Sequence, residues 1–459
     1  MEIEVARSDG NRTLTTLSFL SFLLLMVCLL ATPFVEMSGA LSEEQKVYRL
    51  YAYGLVGLLQ IALIPLRGWK RSLRIFNTPV ILFMLWSALS LAWSQDFQLT
   101  GKRLVLLGLV YSGIFSGICD LGTRRSFGIV RTLLVIALIL NFIAALAIPS
   151  IGTHALDKVH LWRGFMAHKN IAGMLCAVTI ILFTFDCSKI STPIRLTVIA
   201  GAVIFFYLAW SKTAWITLPV ALILGSVIAR AAQRAQASPK ALHSLVLGSR
   251  ILVGLLLLGL IVMTLQRDFF LSLTDDTTAL TTRAAIWRPM IQFYLDHPWL
   301  GSGYGAYWDA SANLLGSGTP DISLWKNVDQ GHNGYLDLLV QVGLPGLALA
   351  LYVALVRPPV ELTAMFGQQP HRAALISALI LFILLENFSE SSLLADDVLA
   401  NAFLLIALAS LHSFKLHSDG RRNETSSSQE GAHFASAAEL RARRQKLHHN
   451  TAGSLVKDG

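Results

Sequence analysis

The sequence predicts an all-α polytopic membrane protein with about 12 transmembrane helices. Of its 459 residues, 54% are hydrophobic and only 14% are charged, and the mean hydropathy is +0.58. A soluble domain usually carries about 25% charged residues. Apolar runs long enough to cross the hydrocarbon core recur along the chain, and in lipid the helix satisfies its own backbone hydrogen bonds.

The predicted spans form two groups of helices around one long polar interruption. A cytoplasmic N-terminus (1–16) precedes a transmembrane bundle (17–265), the interruption (266–334), a second group of spans (335–414) and a basic tail (415–459). We expect this tail to be disordered and cytoplasmic. The spans, each judged by the length that crosses a bilayer, are 17–35, 47–66, 78–95, 103–119, 127–148, 171–187, 193–209, 212–230, 245–265, 335–356, 373–388 and 396–414.

Lysine and arginine residues orient the predicted helices, because they concentrate in cytoplasmic loops. With the N-terminus in the cytoplasm, 25 of the 37 Lys and Arg residues fall inside and 12 fall outside. The opposite orientation would invert this distribution. We therefore expect both termini to lie in the cytoplasm and the interruption at 266–334 to form one large loop on the outer face.

Several function classes find no support in the sequence. There is no GxxxxGK[ST] motif, no GxGxxG after a predicted strand and no HExxH, so nothing indicates an ATP-driven pump, a dinucleotide-binding enzyme or a zinc protease. The four cysteines show no CxxC spacing, so neither a zinc site nor a disulfide framework is indicated. No nucleic-acid partner is predicted either.

The outer segments carry basic residues that run against the positive-inside trend. Arginine grips a phosphate with paired donors and lysine acts as a point charge, so a set of them at the outer leaflet is suited to holding a diphosphate. Each residue alone is explained equally well by snorkelling at a helix end. The candidate ligands are Arg163, His168, Lys169, Lys212, Arg283 and Arg288.

The polar interruption ends in DQGHNGYLDLLVQVGLPG, where His332 precedes a new apolar helix. The neighbouring Gly and Asn suit a helix start, and the Gly343–Pro345 break predicts a kink. A histidine at the outer face can stay neutral near pH 7 and accept a proton, so His332 is a candidate general base. Asp329 is a candidate orienting partner. A histidine that only hydrogen-bonds at the start of the helix would explain the spacing as well.

The interruption is also rich in aromatic residues. Trp287, Tyr304 and Trp308 are candidates for stacking on sugar faces, and an interfacial belt of Trp and Tyr is the alternative. Arg283 and Trp287 are spaced to share one face of a short amphipathic helix. The GSGYG sequence at 301–305 predicts a turn.

The chain resembles the O-antigen ligase/polymerase family of bacterial envelope enzymes over roughly residues 20–410. The resemblance is carried by RGFMAHKNIAG, by SKTAW, by TTRAAIW followed by HPWLGSGYGAY, and by HNGYLDLLVQVGLPG. Within the family, the overall pattern is similar to exopolysaccharide polymerases, including the Lys in SKTAW where Arg would be the alternative. The resemblance implies a membrane glycosyltransferase with a GT-C-like fold. It also implies that the enzyme needs no metal or other cofactor and acts at the periplasmic face of the bacterial inner membrane.

The resemblance also implies a substrate and site residues. The donor would be an undecaprenyl-diphosphate-linked oligosaccharide, whose repeat units would be polymerised onto a glycan acceptor to give exopolysaccharide or O-antigen. A chain-length regulator and a flippase are further candidate partners. His332 matches the family's loop histidine, the candidate base, which would act with Arg283. Arg163, Lys212 and Arg283 match its basic positions, the candidate diphosphate ligands.

Two alternatives to polymerisation stay open. The first is a ligase that transfers a finished glycan to a lipid or protein acceptor. The second is a transporter for the same lipid-linked sugar. A transporter would tend to place charged residues inside the spans, and the predicted spans are nearly free of them.

Overall fold

The computed structural model describes residues 2–35, 43–156, 159–186, 190–235, 281–308, 330–365 and 369–416, together with helical positions between 243 and 262. The chain divides into two units, Met1–Ser413 and Phe414–Gly459, and everything that follows concerns the first. The described residues are mostly helical, which confirms the predicted all-α class.

The described helices are numbered here in chain order. A 3₁₀ turn at Ser90–Ala92 extends α4, and a π-helical turn at Tyr352–Val356 joins α12 to α13. The helices are α1 (Glu2–Val35), α2 (Glu43–Arg67), α3 (Trp69–Leu73), α4 (Thr78–Leu89), α5 (Phe97–Leu121), α6 (Thr123–Ala147), α7 (Pro149–Gly152), α8 (Lys169–Phe185), α9 (Thr192–Ala209), α10 (Lys212–Ala235), α11 (Thr281–Asp296), α12 (Gly334–Leu351), α13 (Arg357–Met365), α14 (Pro370–Glu386) and α15 (Leu399–Leu416).

Among the described residues, 7 helices are long and apolar enough to cross a membrane, and the shorter apolar helices Thr78–Ala92, Lys169–Phe185 and Lys212–Ile228 accompany them. These shorter helices coincide with the predicted spans 78–95, 171–187 and 212–230. The predicted span 245–265 falls partly outside the described residues. A protein with several membrane-spanning helices is thereby confirmed, whereas the number 12 and the GT-C-like arrangement stay predictions.

Burial separates central helices from peripheral ones. The most apolar stretch of α15 is 83% buried, but the corresponding stretches of α2 and α9 are each only 22% buried. The closest helix pairs include α10 with α14 and α8 with α9. The exposed apolar side chains of α2 and α9 are suited to contact with lipid, because the acyl chains of lipids are also apolar.

A small β-hairpin, which the sequence did not predict, lies between α7 and α8. Strand β1 (Thr153–Leu156) pairs antiparallel with β2 (Val159–Trp162). The carbonyl oxygen of Gly152 accepts hydrogen bonds from the backbone N–H groups of both Arg163 and Gly164, each at 2.9 Å. These bonds close the base of the hairpin and lead the chain directly into the RGFMAHKNIAG motif.

The predicted break in α12 is present and is centred on Gly343. This residue has φ 67° and ψ −175°, a conformation that interrupts the helix and that favours glycine. A Cβ at this position would lie 2.2 Å from the carbonyl oxygen of Trp299. The backbone N–H of Leu344 donates to the carbonyl of Pro298 at 2.9 Å. The HPWLG segment therefore packs into the gap that the break opens.

Breaking a helix frees carbonyl oxygens, and in a membrane protein these must find other donors. The predicted turn at 301–305 supplies two of them, and its glycines at 301, 303 and 305 all have positive φ. The freed carbonyls of Val340, Gln341 and Val342 accept, respectively, from Ser302 N, Gly303 N and Trp86 Nε1, each at 2.9 Å. The segment after α11 is thus tied to the interior of α12.

Candidate functional site

The loop at residues 387–392, between α14 and α15, contacts three of the motifs. The side chain of Asn170, in RGFMAHKNIAG, donates to Glu390 Oε1 at 2.7 Å. The hydroxyls of Thr213, in SKTAW, and Ser389 lie 2.7 Å apart. The N–H of Gly334, in HNGYLDLL, is 2.9 Å from the carbonyl oxygens of both Asn387 and Glu390. This loop therefore brings together motifs that are distant in sequence.

The backbone of His332 has a conformation that is unusual for a residue with a side chain. Its φ is 49°, in the left-handed region, which costs roughly 1–2 kcal/mol for a residue other than glycine. The two peptide groups before this residue are each held by a hydrogen bond: Gly331 N donates to the carboxylate of Asp337 at 2.9 Å, and Trp287 Nε1 donates to Gly331 O at 2.8 Å. Strain of this kind persists where surrounding contacts enforce it, and it clusters at functional sites.

The N-cap of α12 is Asn333 and not His332. The side-chain oxygen of Asn333 accepts from the backbone N–H groups of Tyr335 and Leu336, at 3.2 Å and 3.1 Å. Its own backbone N–H donates to Ser391 Oγ at 3.1 Å. The cap that the sequence left as an alternative role for His332 is therefore occupied by its neighbour.

The imidazole of His332 faces the carboxylate of Glu390. The His332 Nδ1 atom lies 3.8 Å from Glu390 Oε2, and the two side chains are 35% and 18% exposed. Within the described part of the chain, Nδ1 is buried and has no hydrogen-bond partner. Glu390 is held through its other oxygen by Asn170, so its carboxylate is placed where an orienting partner of His332 would lie. Asp329 itself lies outside the described residues.

Two lysines stand together at the starts of neighbouring helices. Lys169 opens α8, ahead of the predicted span 171–187, and the exposed Lys212 opens α10. The helix ends approach closely, because a Cβ at Gly173 would lie 2.5 Å from Ser211 Cβ. Partial burial and the positive charge of Lys212 both lower the pKa of Lys169. Two cations that repel each other in this way are suited to share an anion.

Two other predicted ligands of the diphosphate have structural contacts. The guanidinium of Arg163 donates through Nε to Ile151 O at 2.9 Å and through Nη1 to Ala167 O at 3.3 Å. His168 is the N-cap of α8, where its Nδ1 accepts from Asn170 N at 3.2 Å. These contacts shape the segment that presents Lys169 and Asn170.

The remaining predicted cations lie on α11, which confirms the helix expected there. The backbone of Arg283 is helical, but its side chain lies outside the described residues. Arg288 is exposed. The adjacent Trp287 binds the Gly331 carbonyl. This part of α11 therefore lies beside residues 331–333, which we call the His332 loop.

The three aromatic candidates for sugar stacking differ in the structure. Tyr304 is only 2% exposed and its hydroxyl donates to Leu394 O at 3.2 Å, so its ring is not available to a sugar. Trp287 and Trp308 are partly exposed, and their indole N–H groups bind Gly331 and Asp337. For these two tryptophans, stacking stays a prediction, and positioning of the His332 loop is an additional role.

Sequence reasoning missed Glu390, Asp337 and Ser391 as parts of the site. Asp337 lies in the quoted HNGYLDLL motif, but its spacing resembles that of any polar residue on a helix face. Glu390 and Ser391 lie in an acidic segment, 386–397, between the last two predicted spans, and nothing in the neighbouring residues marks them as part of a site. Their contacts link residues more than fifty positions apart, such as Ser391 and Asp337, and no local pattern encodes such a pairing.

Comparison with known families matches residues 196–351 to a family described as O-Antigen ligase. The matched region contains the SKTAW turn, α11 and the HNGYLDLL motif, whereas RGFMAHKNIAG and the 387–392 loop lie outside it. None of the curated proteins compared with the chain matches it significantly. The match confirms the resemblance that the motifs indicated: residues 196–351 of this chain are similar to the O-antigen ligase family.

Proposed function

We propose that the chain is a membrane glycosyltransferase that acts on an undecaprenyl-diphosphate-linked oligosaccharide at the periplasmic face of the inner membrane. The reaction is polymerisation of the repeat units into exopolysaccharide or O-antigen. The observation that carries this proposal is His332, held in a left-handed conformation beside Glu390, where the motifs of the resemblance meet. A glycan acceptor is the second substrate, and a flippase and a chain-length regulator are candidate partners.

The proposed chemistry begins with proton transfer to His332. Its Nδ1 is buried and faces Glu390, so Nε2 is the nitrogen that accepts the proton of an acceptor hydroxyl. The hydroxyl oxygen forms a bond to the anomeric carbon of the donor sugar. The bond between that carbon and the diphosphate oxygen breaks, and the diphosphate leaves with the electron pair. The lipid diphosphate already activates the sugar, so no nucleotide takes part.

Glu390 completes the proposed base. A carboxylate near Nδ1 favours the tautomer that carries a proton there and stabilises the imidazolium that forms when Nε2 accepts its proton, as in other acid–base pairs of this kind. The distance of 3.8 Å is longer than a hydrogen bond, but catalytic hydrogen bonds often tighten only when substrate is bound. Asn170 holds the opposite oxygen, so Glu390 keeps its direction.

The departing diphosphate carries the largest new negative charge. Lys169 and Lys212 stand at adjacent helix starts, and Arg283 and Arg288 lie on α11 beside the His332 loop. Cations fixed in place stabilise developing charge without reorganising. Arg163 and His168 contribute by shaping the start of α8, on the evidence of their backbone contacts.

Ligation of a finished glycan to a lipid or protein is the second candidate function, because the matching family is described as O-Antigen ligase. One experiment separates the two. The protein is inactivated in its host and the glycan that accumulates on the lipid carrier is analysed. Single repeat units support polymerisation, and full-length polymer on the carrier supports ligation. Absence of any lipid-linked glycan at the outer face contradicts both and favours transport.

A further inference from the structure

Asp337 is a buried acid on α12, only 5% exposed, that the proposed chemistry does not use. We propose that Asp337 is the positioning residue that holds the side chains of His332 and Glu390 in place relative to each other. This inference rests on the proposed function and deepens it. The carboxylate of Asp337 accepts hydrogen bonds from three different parts of the chain.

The carboxylate of Asp337 is surrounded by donors. Trp308 Nε1 donates to Oδ1 at 2.7 Å, Ser391 Oγ donates to Oδ2, and Gly331 N lies 2.9 Å from Oδ2 and 3.2 Å from Oδ1. Hydrogen bonds to a carboxylate are stronger than neutral ones. Asp337 therefore joins the end of the GSGYGAYW segment, the 387–392 loop and the residue before His332.

The contact with Gly331 acts directly on the neighbouring His332. Gly331 leaves this contact open, because a Cβ there would lie 3.1 Å from Asp337 Oδ2 and 2.7 Å from Met290 Sδ, so that Met290 would have to shift. The carboxylate can thus approach the Gly331 backbone closely. Its bond to the N–H fixes the peptide group before Gly331, while the bond from Trp287 to the carbonyl fixes the peptide group between Gly331 and His332. Together these bonds select the left-handed conformation that aims the imidazole of His332.

The contact with Ser391 acts on the partner of that imidazole. Ser391 Oγ donates to Asp337 and accepts from Asn333 N, so it ties the 387–392 loop to both sides of His332. Glu390 directly precedes Ser391. A shift of Ser391 would therefore move the carboxylate that faces His332 Nδ1. Since Asp337 sits on a rigid helix, it gives His332 and Glu390 a common reference point.

The experiment compares Asp337→Asn in two backgrounds, the full-length protein and its His332→Ala variant. Purified proteins are assayed with lipid-linked donor for kcat and KM, and their thermal unfolding is recorded. In the full-length protein Asp337→Asn should lower kcat about 10- to 100-fold, because small misplacements of a catalytic group have effects of that size. KM for the donor should change little. In the His332→Ala background the same substitution should change kcat less than twofold, since its target is already absent.

Glu361→Gln is the matched control. Glu361 is also a buried acid, 2% exposed, and pairs with Arg357 Nε at 2.8 Å, away from the 387–392 loop. It should affect thermal unfolding without lowering the kcat of the folded protein. If Asp337→Asn fails to fold, Ser391→Ala replaces it in both backgrounds, because it removes one donor from the same carboxylate.

The possible outcomes are distinct. An unchanged kcat for Asp337→Asn, or an equal fold-loss in both backgrounds, overturns the positioning role. If His332→Ala leaves no measurable turnover, the rate of carbethoxylation of His332 decides: an unchanged rate in Asp337→Asn overturns the role, and a changed rate supports it. Near-normal turnover by His332→Ala alone refutes the proposed function, whatever the result at Asp337.

Discussion

Replacing Glu390 by Gln removes the negative charge beside His332 and keeps the shape of the side chain. Two unit charges about 4 Å apart attract by about 4 kcal/mol at the effective dielectric of a protein surface and by about 1 kcal/mol in water. The observed separation is 3.8 Å, and His332 is 35% exposed, so solvent screens part of the interaction. We therefore expect the variant to lose about 1–3 kcal/mol of transition-state stabilisation, which is about 5- to 150-fold in kcat.

The assay is product formation by purified protein from lipid-linked donor, with kcat and KM measured separately. A glutamine at 390 still offers an oxygen to Asn170, so the 387–392 loop should keep its place and thermal unfolding should hardly change. Asn170→Ala is the control for loss of that contact alone, and it should lower kcat less than Glu390→Gln does. If Glu390→Gln retained wild-type kcat while His332→Ala was inactive, the charge of Glu390 would have no part in the reaction.

Four further predictions concern His332, Lys169, the break in α12 and the membrane topology. His332→Ala and His332→Gln should both lower turnover about 10²–10⁴-fold, the usual range for a general base; near-normal turnover by both would refute that role. Because the pKa of Lys169 is lowered, its charge is lost as pH rises, and KM for the donor should increase at alkaline pH. Lys169→Arg should move that increase to higher pH, since arginine stays charged. An identical KM profile for the variant would contradict a role of Lys169 in donor binding. Gly343→Ala should destabilise the protein by at least about 1–2 kcal/mol, measured by thermal unfolding, because φ is 67° and the new Cβ would meet a carbonyl oxygen at 2.2 Å; an unchanged midpoint would argue against the break. In spheroplasts, a cysteine introduced at position 310 should react with a membrane-impermeant thiol reagent, and a cysteine at position 240 should not. The reverse pattern would overturn the topology.

Features encoded by neighbouring residues were predictable. The start of α12 followed from Gly and Asn next to His332, and the structure places the cap on Asn333. The kink followed from the Gly343–Pro345 break, because glycine supplies a positive φ and proline lacks a donor. The helix expected from the spacing of Arg283 and Trp287 is also present, as α11. In each case the deciding interactions lie within one or two helical turns.

Features that depend on distant partners were not predictable. For Trp287 and Trp308, sugar stacking stays a prediction, but the sequence cannot show that their N–H groups bind Gly331 and Asp337. Tyr304 was given the same role, although it is buried against Leu394. A pattern of exposed and buried positions along one segment carries no information about which other segment covers it.

The way in which α12 is built explains why distant contacts decide the site. Its first turn is fixed by Asp337 and Asn333, and its break accepts the backbone of the 301–305 turn through Gln341. The described segment from α11 to the 301–305 turn is therefore attached at two places, through Trp287 to Gly331 just before α12 and through Gly303 to Gln341 at the break. A catalytic group supported in this way from a helix is held more precisely than one carried by a loop alone. We infer that the geometry around His332 is set before substrate binds, so that substitutions in this support should lower kcat more than they raise KM.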